Sequence, residues 1–238
     1  MVCGLGAALD ARGIPLLDAV RVADGRYWSY LCTDPACCPP EGRPYDVGTH
    51  PLAVEAILDG CVALPSRDEL ERRLAPVSAP GMSEATRRAT DRLGALIEEK
   101  PRSLRRALLR AGSAAVDAAL RCQRGDGRLT DDEVAWLAVV LLHLPVRDYA
   151  WESVGGDLGI HVALWTDVVR RCDRDLVTAP ATLLAFAAWR AGEGAVASIA
   201  LSRALAADPG YRMAQLMSRA LECGLNPADW EAAAAAER

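Results

Sequence analysis

Apolar and polar residues follow a helical period over most of this chain and a strand-like pattern near its N-terminus. From residue 83 onward, apolar residues recur every three or four positions, which is the spacing of amphipathic α-helices. A proline or a glycine lies near each break in this pattern, where it starts or ends a helix. The pattern predicts helices at residues 83–99, 102–122, 130–143, 146–153, 160–173, 179–191, 194–207 and 211–222. The alanine-rich end, Ala232–Ala236, is predicted to be a frayed tail.

A β-hairpin is predicted near the N-terminus. Residues 16–22 form a β-like apolar run, and residues 26–31 are rich in the aromatic residues typical of strands. Between them, Asp24 and Gly25 supply the positive φ angles that tight hairpin turns require. Because an isolated hairpin is barely stable in water, it needs a covering helix or further strands, and the sequence offers few further strands.

Short helices and an irregular loop accompany the hairpin. The loop is residues 32–50, where four prolines prevent regular structure. Ser66 and Glu69 have the spacing of a capping box, which marks the start of a helix. Residues 76–81 contain proline, serine and glycine close together and are the predicted linker. Short helices are predicted at residues 3–12, 51–58 and 67–74.

These elements indicate an α+β fold that is predominantly α. Residues 1–76 would form a small part with the hairpin and a cysteine-rich loop, and residues 77–238 an all-helical domain. The segment Leu184–Pro209 fits the spacing of one tetratricopeptide repeat, in which small residues let two helices pack closely. The preceding segment does not repeat this pattern. We therefore expect a helical bundle that ends in a tetratricopeptide-like helical hairpin.

Charge and composition limit the classes of function. The 238 residues carry a net charge of −5, which disfavours broad binding to nucleic acid or to anionic membranes. No apolar run approaches the roughly 20 residues that a membrane-spanning helix needs. Residues 1–11 lack the cationic start of a signal peptide, and eight cysteines are too few for a secreted disulfide scaffold of this length. We therefore expect a cytoplasmic protein with reduced thiols.

A group of cysteines is the first candidate for chemistry. Cys32, Cys37 and Cys38 follow the spacing C-x4-C-C, with His50 twelve residues after Cys38 and Cys61 further on. Thiolates and imidazoles are ligands that zinc prefers, so Cys32, Cys37, Cys38 and His50 are a candidate zinc site. Neighbouring side chains point in different directions, which disfavours Cys37 and Cys38 as joint ligands. A disulfide from Cys32 to either of them, and a loop fixed by its prolines alone, are the alternatives.

A group of arginines is the second candidate. The four residues share roughly one face of the predicted helix 102–122, and Asp117 lies too far along it to neutralise them. Such a face is a candidate binding surface for an acidic protein partner, and a solvated helix face is the alternative. The four residues are Arg102, Arg105, Arg106 and Arg110.

Catalytic chemistry has less support. His143, Arg147 and Asp148 lie within six residues of one another, but no nucleophile accompanies them. An interaction of Arg147 with Asp148 or with a helix end, beside a packed Trp151, explains these residues better. The motifs G-x-S-x-G, H-E-x-x-H and the P-loop are absent. We therefore lean towards a protein that is not an enzyme.

The order and spacing of several stretches resemble the actinobacterial family known as domain of unknown function 4192. The stretches are VADGRYWSYLC (22–32), DPACCPPEG (34–42), LPSR (64–67), VRD (146–148), AFAAWR (185–190) and RALAADPGY (203–211). The resemblance implies no activity and no catalytic residues, because none is established for the family. It also implies an N-terminally shortened member, since family members carry a further α/β portion before the first helix. The hairpin would then lack sheet neighbours, or another chain would cover its edge.

Two hypotheses about function follow. The leading one is a non-catalytic intracellular interaction or scaffold module, which binds a protein partner through its helical surface and self-associates through the hairpin edge. The alternative is a metal- or thiol-dependent protein, zinc-binding or redox-sensing, that uses the loop containing Cys32, Cys37 and Cys38.

Overall fold

The computed structural model describes residues 2–46, 50–58 and 66–236. Internal contacts divide the chain into two compact units, Met1–Ala63 and Leu64–Arg238. The predicted domain boundary after residue 76 stays a prediction. The fold is predominantly helical with a small antiparallel sheet near the N-terminus, as the sequence predicted. None of the described helices has both the length and the apolar character needed to cross a bilayer.

The N-terminal unit contains a three-stranded antiparallel sheet in the order β1-β2-β3. Pairing of β1 with β2 aligns Val20 with Ser29 and Ala23 with Arg26. The elements of this unit are α1 (Val2–Asp10), β1 (Val20–Ala23), β2 (Arg26–Ser29), β3 (Arg43–Pro44) and α2 (Pro51–Leu58).

The predicted hairpin is confirmed, and it has a neighbour that the sequence analysis missed. Asp24 and Gly25 both have positive φ, 50° and 70°, which matches the right-handed twist of the two strands. The expectation that the hairpin lacks sheet neighbours is wrong, because β3 pairs Arg43 and Pro44 with β2. Pro44 is tolerated because β3 is an edge strand, where one side of the backbone needs no ladder hydrogen bond.

The helical unit contains every helix predicted beyond residue 66. Side-chain caps start three of them: Ser66 Oγ accepts a hydrogen bond from the Glu69 N–H, and Asp157 Oδ1 accepts one from the Gly159 N–H. Thr130 and Glu133 exchange the two bonds of a capping box. The helices are α3 (Arg67–Leu74), α4 (Met82–Glu99), α5 (Leu104–Arg124), α6 (Asp131–Val140), α7 (Leu144–Glu152), α8 (Leu158–Arg171), α9 (Thr178–Arg190), α10 (Gly194–Ala207), α11 (Arg212–Glu222) and α12 (Pro227–Ala236), with a 3-10 turn at Arg174–Leu176.

Helix α9 forms the centre of the core. Its residues from Ala179 to Trp189 are buried on all sides, which is typical of a helix without a polar face. Helices α8 and α10 pack along it, and α7 and α11 also contact it. Alanines such as Ala185 and Ala197 have no exposed surface, so α9 and α10 approach closely. These two helices form the predicted hairpin, and its likeness to a tetratricopeptide repeat stays a prediction.

Helix α12 differs from the sequence prediction, which treated Ala232–Ala236 as a frayed tail. The helix is continuous from Pro227 to Ala236. Two residues in its first turns attach it to the core: the Trp230 ring packs near Phe186, and Glu231 forms an ion pair with Arg190. Tertiary contacts therefore hold the first turns of α12, immediately before the alanines whose composition suggested fraying.

Candidate metal centre

The three cysteines of the C-x4-C-C motif meet in the loop between β2 and β3. The Sγ atoms of Cys32, Cys37 and Cys38 all lie within 4.8 Å of one another. All three thiols are free; Cys37 is exposed, and Cys32 and Cys38 are half-buried. The sequence analysis expected Cys37 and Cys38 to diverge, and the structure places both sulfurs beside Cys32.

The start of the loop is fixed by Ser29, the last residue of β2. Its Oγ accepts hydrogen bonds from the backbone N–H groups of Leu31 and Cys32, at 3.2 and 3.1 Å. The same hydroxyl donates to Asp18 Oδ1 at 2.6 Å. These bonds turn the chain sharply at the end of the strand and place Cys32 at the base of the loop.

Asp34 folds the chain so that the adjacent cysteines face Cys32. Its carbonyl oxygen accepts from the N–H groups of Cys37 and Cys38, at 3.1 and 2.8 Å, and its Oδ1 accepts from the Ala36 N–H at 2.8 Å. These bonds close a single helical turn over residues 34–38. This tight turn brings both sulfurs within reach of Cys32, which an extended chain would not do.

The far side of the loop is closed by Trp28 and Gly42. The Trp28 Nε1–H donates to the Pro40 carbonyl at 2.9 Å, and Arg26 Nη1 donates to the Gly42 carbonyl at 2.7 Å. Gly42 is buried under the indole and has a φ of +77°, a conformation that glycine adopts without strain. The loop is therefore held at both ends independently of any bond between the cysteines.

Hydrogen bonds make the thiols chemically unequal. The Asp34 backbone N–H donates to Cys32 Sγ, and this bond, followed by one from the Cys38 thiol, lowers the pKa of Cys32 below its ordinary value. Donation to Cys32 is also the main cause that raises the pKa of Cys38, and desolvation adds to it. Of these two thiols, Cys32 ionises first, and the S–H of Cys38 points towards the Cys32 sulfur.

Three convergent sulfurs form a donor set for a soft or borderline metal ion. Zinc takes thiolate ligands in tetrahedral geometry, and three sulfurs leave one coordination position for another ligand. The N–H donated to Cys32 orients and stabilises a sulfur that carries negative charge, as outer-shell bonds do in metal sites. The same proximity also permits thiol–disulfide chemistry between Cys32 and a neighbour.

His50, the fourth predicted ligand, is not among the atoms that converge with the cysteines. It precedes α2, where its Nδ1 accepts a hydrogen bond from the Leu52 N–H at 3.2 Å. Its role as a zinc ligand stays a prediction. Cys61 lies outside the described residues.

The four arginines of the second candidate lie where α5 begins. All four side chains are exposed, and within the described ranges none of them has an ion pair or a side-chain hydrogen bond. Arg87 and Arg88 on α4 contrast with them, because both pair with Glu84. The four are Arg102, Arg105, Arg106 and Arg110.

The predicted Arg147–Asp148 interaction is confirmed. Arg147 donates to Asp148 Oδ1 at 2.6 and 3.0 Å and to the Tyr211 hydroxyl at 3.4 Å. His143 precedes α7, and its Nε2 is buried with no hydrogen-bond partner among the described residues. The arginine and the aspartate are therefore bound to each other, and neither has a hydrogen bond to His143 Nε2.

Two residues that shape the thiol site were missed in the sequence analysis, namely Ser29 and Asp34. A signal for Asp34 was present, since Asp followed by Pro is typical of a turn. Ser29 carried no such signal, because its role depends on Asp18 across the hairpin.

Comparison with known proteins identifies the family of this chain. Residues 1–228 match the family described as Domain of unknown function (DUF4192). No curated protein and no solved structure matches the chain.

Proposed function

Because this chain belongs to the DUF4192 family, whose description names no function, we propose its function from the thiol cluster: it binds one zinc ion through Cys32, Cys37 and Cys38. The observation that carries the proposal is the convergence of the three Sγ atoms within 4.8 Å. Three thiolates match the ligand preference of zinc, and the ion would lock the loop between β2 and β3.

The geometry of the loop supports zinc binding over a purely packed loop. Half-buried and exposed sulfurs bury little apolar surface, so packing alone gives weak reason to gather three of them. The lowered pKa of Cys32 favours its thiolate form, and a metal ligand must be deprotonated. The fourth ligand would be His50, Cys61 or a water molecule.

Metal content and thiol count together test this proposal. Protein purified without a chelator or a histidine tag should contain about one zinc per chain by mass spectrometry, with three or four thiols protected until the metal is removed. Replacing Cys32, Cys37 and Cys38 with serine should abolish binding, whereas Cys223→Ser, at an exposed cysteine elsewhere, should not change it. Cobalt titration should give thiolate-to-cobalt charge-transfer absorption only in the parent chain and in Cys223→Ser.

Other outcomes distinguish the alternatives. Eight free thiols and no metal would refute a metal site and leave the loop as a packed structure. No metal with two missing thiols would indicate a disulfide and favour a redox-sensing role. His50→Ala tests the fourth ligand, because a weaker affinity with unchanged stoichiometry would identify it as one.

A second candidate function, a protein-interaction module, has a separate observation in its favour. Arg102, just before α5, and three arginines within it (Arg105, Arg106 and Arg110) are exposed. They lack the acidic partners that Arg87 and Arg88 have. Arg105 and Arg106 also lie in the first turn of α5, where the helix dipole adds positive potential. An acidic segment of a protein partner would complement this surface.

A charge-matched pair of variants tests the interaction module. Binding of a fluorescent poly-glutamate peptide should weaken in Arg105→Gln/Arg106→Gln and should not change in Arg72→Gln/Arg73→Gln, which removes the same charge from α3. Equal losses in both variants would show that only net charge attracts the peptide. Self-association through the exposed edge of β1 is tested separately by the sedimentation of Val20→Lys, since a charge there blocks edge pairing.

A further inference from the structure

A cavity in the helical unit, distinct from the thiol site, lies where residues of α7, α9 and α12 meet. Its volume is about 350 Å³, within the range of pockets that hold small ligands. Trp151, Phe186 and Trp230 supply aromatic walls, and Glu152 and Glu231 supply carboxylates. In a chain where aromatic residues make up 5%, this concentration of rings around one cavity is unusual.

The rings are held in fixed relative positions. Trp151 stacks on Phe186 with centroids 3.6 Å apart and planes 12° apart. Trp230 meets Phe186 edge-on at 6.0 Å and 83°, and it also meets Trp189 at 6.5 Å and 69°. Phe186 is only 2% exposed, whereas Trp230 is 39% exposed. The buried Phe186 ring therefore lies at the base of the cavity, and the accessible Trp230 indole lies at its rim.

Among the described residues, the cation that lines the cavity is Arg190, and its nitrogens already have hydrogen-bond partners. Arg190 donates through Nε and Nη2 to Glu231 Oε1, at 3.3 and 2.7 Å, and through Nη1 to the Val154 carbonyl. These bonds neutralise Arg190 with Glu231 and use three of its nitrogens. An anionic ligand would have to displace Glu231 to reach the guanidinium.

The remaining charge on the cavity is negative. Glu152 is exposed at the rim and has no ion pair among the described residues. With Arg190 and Glu231 balanced, Glu152 gives the lining an excess of one negative charge. Aromatic faces attract cations through their quadrupole, and a carboxylate beside them adds direct attraction.

We propose that this cavity binds an organic cation, an alkylammonium or guanidinium group, between its aromatic walls and Glu152. The ring faces of Trp151 and Trp230 contact the apolar surface of the cation, and the carboxylate balances its charge. A small, strongly hydrated metal ion would not bury apolar surface against the indoles as an organic cation does, and a neutral ligand would leave Glu152 unpaired. The cation belongs to a free amine or to a basic side chain of a partner.

Binding of choline and of its neutral isostere, 3,3-dimethylbutan-1-ol, tests the proposal on the full chain. The two molecules have the same shape, so their difference measures the charge alone. Choline should bind roughly fivefold or more tightly, as expected for a cation over aromatic rings. Calorimetry measures the affinity, and the indole N–H signals in NMR spectra show whether Trp151 and Trp230 are the residues perturbed.

A pair of charge-neutralising variants locates the site. Glu152→Gln should weaken choline binding roughly three- to fivefold, the effect of one partly exposed charge, while the isostere is unaffected. Glu98→Gln, at an exposed position of α4, should leave both affinities unchanged. The comparison of choline with its isostere needs no variant, so it decides the question even if a substitution impairs folding.

Several results would overturn the proposal. They are equal affinity for choline and the isostere, no binding of either at millimolar concentration, no effect of Glu152→Gln, or tighter binding of acetate than of choline. N-acetyl-arginine methylamide, tested beside choline, separates the two sources of the cation. Tighter binding of the arginine derivative supports a basic side chain of a partner, and tighter binding of choline supports a free amine.

Discussion

The indole of Trp28 lies directly against Gly42, so that a Cβ atom at residue 42 would come within 2.6 Å of the ring carbon Cζ2. No real pair of such atoms approaches so closely, and the backbone of Gly42 also has a φ of +77°. Both facts exclude a side chain at this position without local rearrangement. The contact closes the loop that holds the three thiols, which makes Gly42 a sensitive point in that loop.

Gly42→Ala should destabilise the thiol loop more than an alanine substitution at another glycine that has a similar positive φ. The matched control is Gly13→Ala, where φ is +68° but nothing lies within 4 Å of the new Cβ. Left-handed alanine costs roughly 1–2 kcal/mol in both variants, and overlap with Trp28 adds about 1–3 kcal/mol at residue 42. Hydrogen exchange of peptides covering residues 26–45 should accelerate only in Gly42→Ala. Equal acceleration in both variants would mean that the Trp28 contact is unimportant.

The thiols of the metal-free protein should react with iodoacetamide in a defined order. The lowered pKa of Cys32 populates its thiolate at a lower pH than usual, whereas the raised pKa of Cys38 delays ionisation to a higher pH. Burial raises the pKa of Cys172 to about 12, so it should stay unmodified in the native state. Peptide mapping across a pH series measures each rate.

A variant checks the cause of this order. Cys38→Ala removes a donor to Cys32, so the pKa of Cys32 should rise and its alkylation near neutral pH should slow. Cys223→Ala changes an exposed cysteine elsewhere and should leave the Cys32 rate unchanged. Faster reaction of Cys38 than of Cys32 in the parent chain would contradict the hydrogen-bond assignment.

Arg171 should be essential to the stability of the helical unit. Its side chain is 4% exposed and donates to Asp131, to Asp167 and to the Leu129 carbonyl, joining α6 to α8. Arg171→Met keeps the apolar part of the side chain but leaves these acceptors without their hydrogen-bond donor. The free energy of unfolding should therefore fall by roughly 2–3 kcal/mol. Urea denaturation measures the loss. Arg87→Met, at an exposed ion pair on α4, should cause little change, and a similar loss there would refute the argument.

Gly112 and Gly94 should respond to alanine in opposite directions. A Cβ at Gly112 of α5 would lie 2.5 Å from Val146 Cγ1 on α7, so Gly112→Ala should destabilise the protein by roughly 1–3 kcal/mol. At Gly94 of α4 nothing lies within 4 Å, and alanine should stabilise by about 0.5–1 kcal/mol through its helix propensity. Thermal unfolding measures both. Val146→Ala should restore part of the loss at residue 112, and independent effects of the two changes would disprove the contact.

Local signals in the sequence were sufficient for most secondary structure. The apolar periodicity placed α4 to α11 within a few residues, and Asp24-Gly25 identified the hairpin turn. The capping box of Thr130 and Glu133 formed as predicted, and Ser66 caps α3 through its bond from the Glu69 N–H, because these hydrogen bonds join residues only three apart. In these elements the interactions that decide the structure lie within one or two turns of chain.

Local sequence signals did not predict strand β3 or helix α12. Two residues that include Pro44 have no strand propensity, and only pairing with Arg26 and Tyr27 makes them a strand. Helix α12 is held at Trp230 by Phe186, which lies more than forty positions earlier in the chain. Contacts of this kind depend on the packing of other elements and leave no local pattern.

The sequence by itself determined that this chain is mostly helical, that a hairpin precedes the helices, and that Cys32, Cys37 and Cys38 belong to one loop. Only the tertiary structure decided that the three sulfurs converge. It also decided that Trp151, Phe186 and Trp230, from three helices, enclose a cavity beside Glu152. The physical reason is that propensity and periodicity act along the chain, whereas a site requires side chains from separate turns and helices to point at one place.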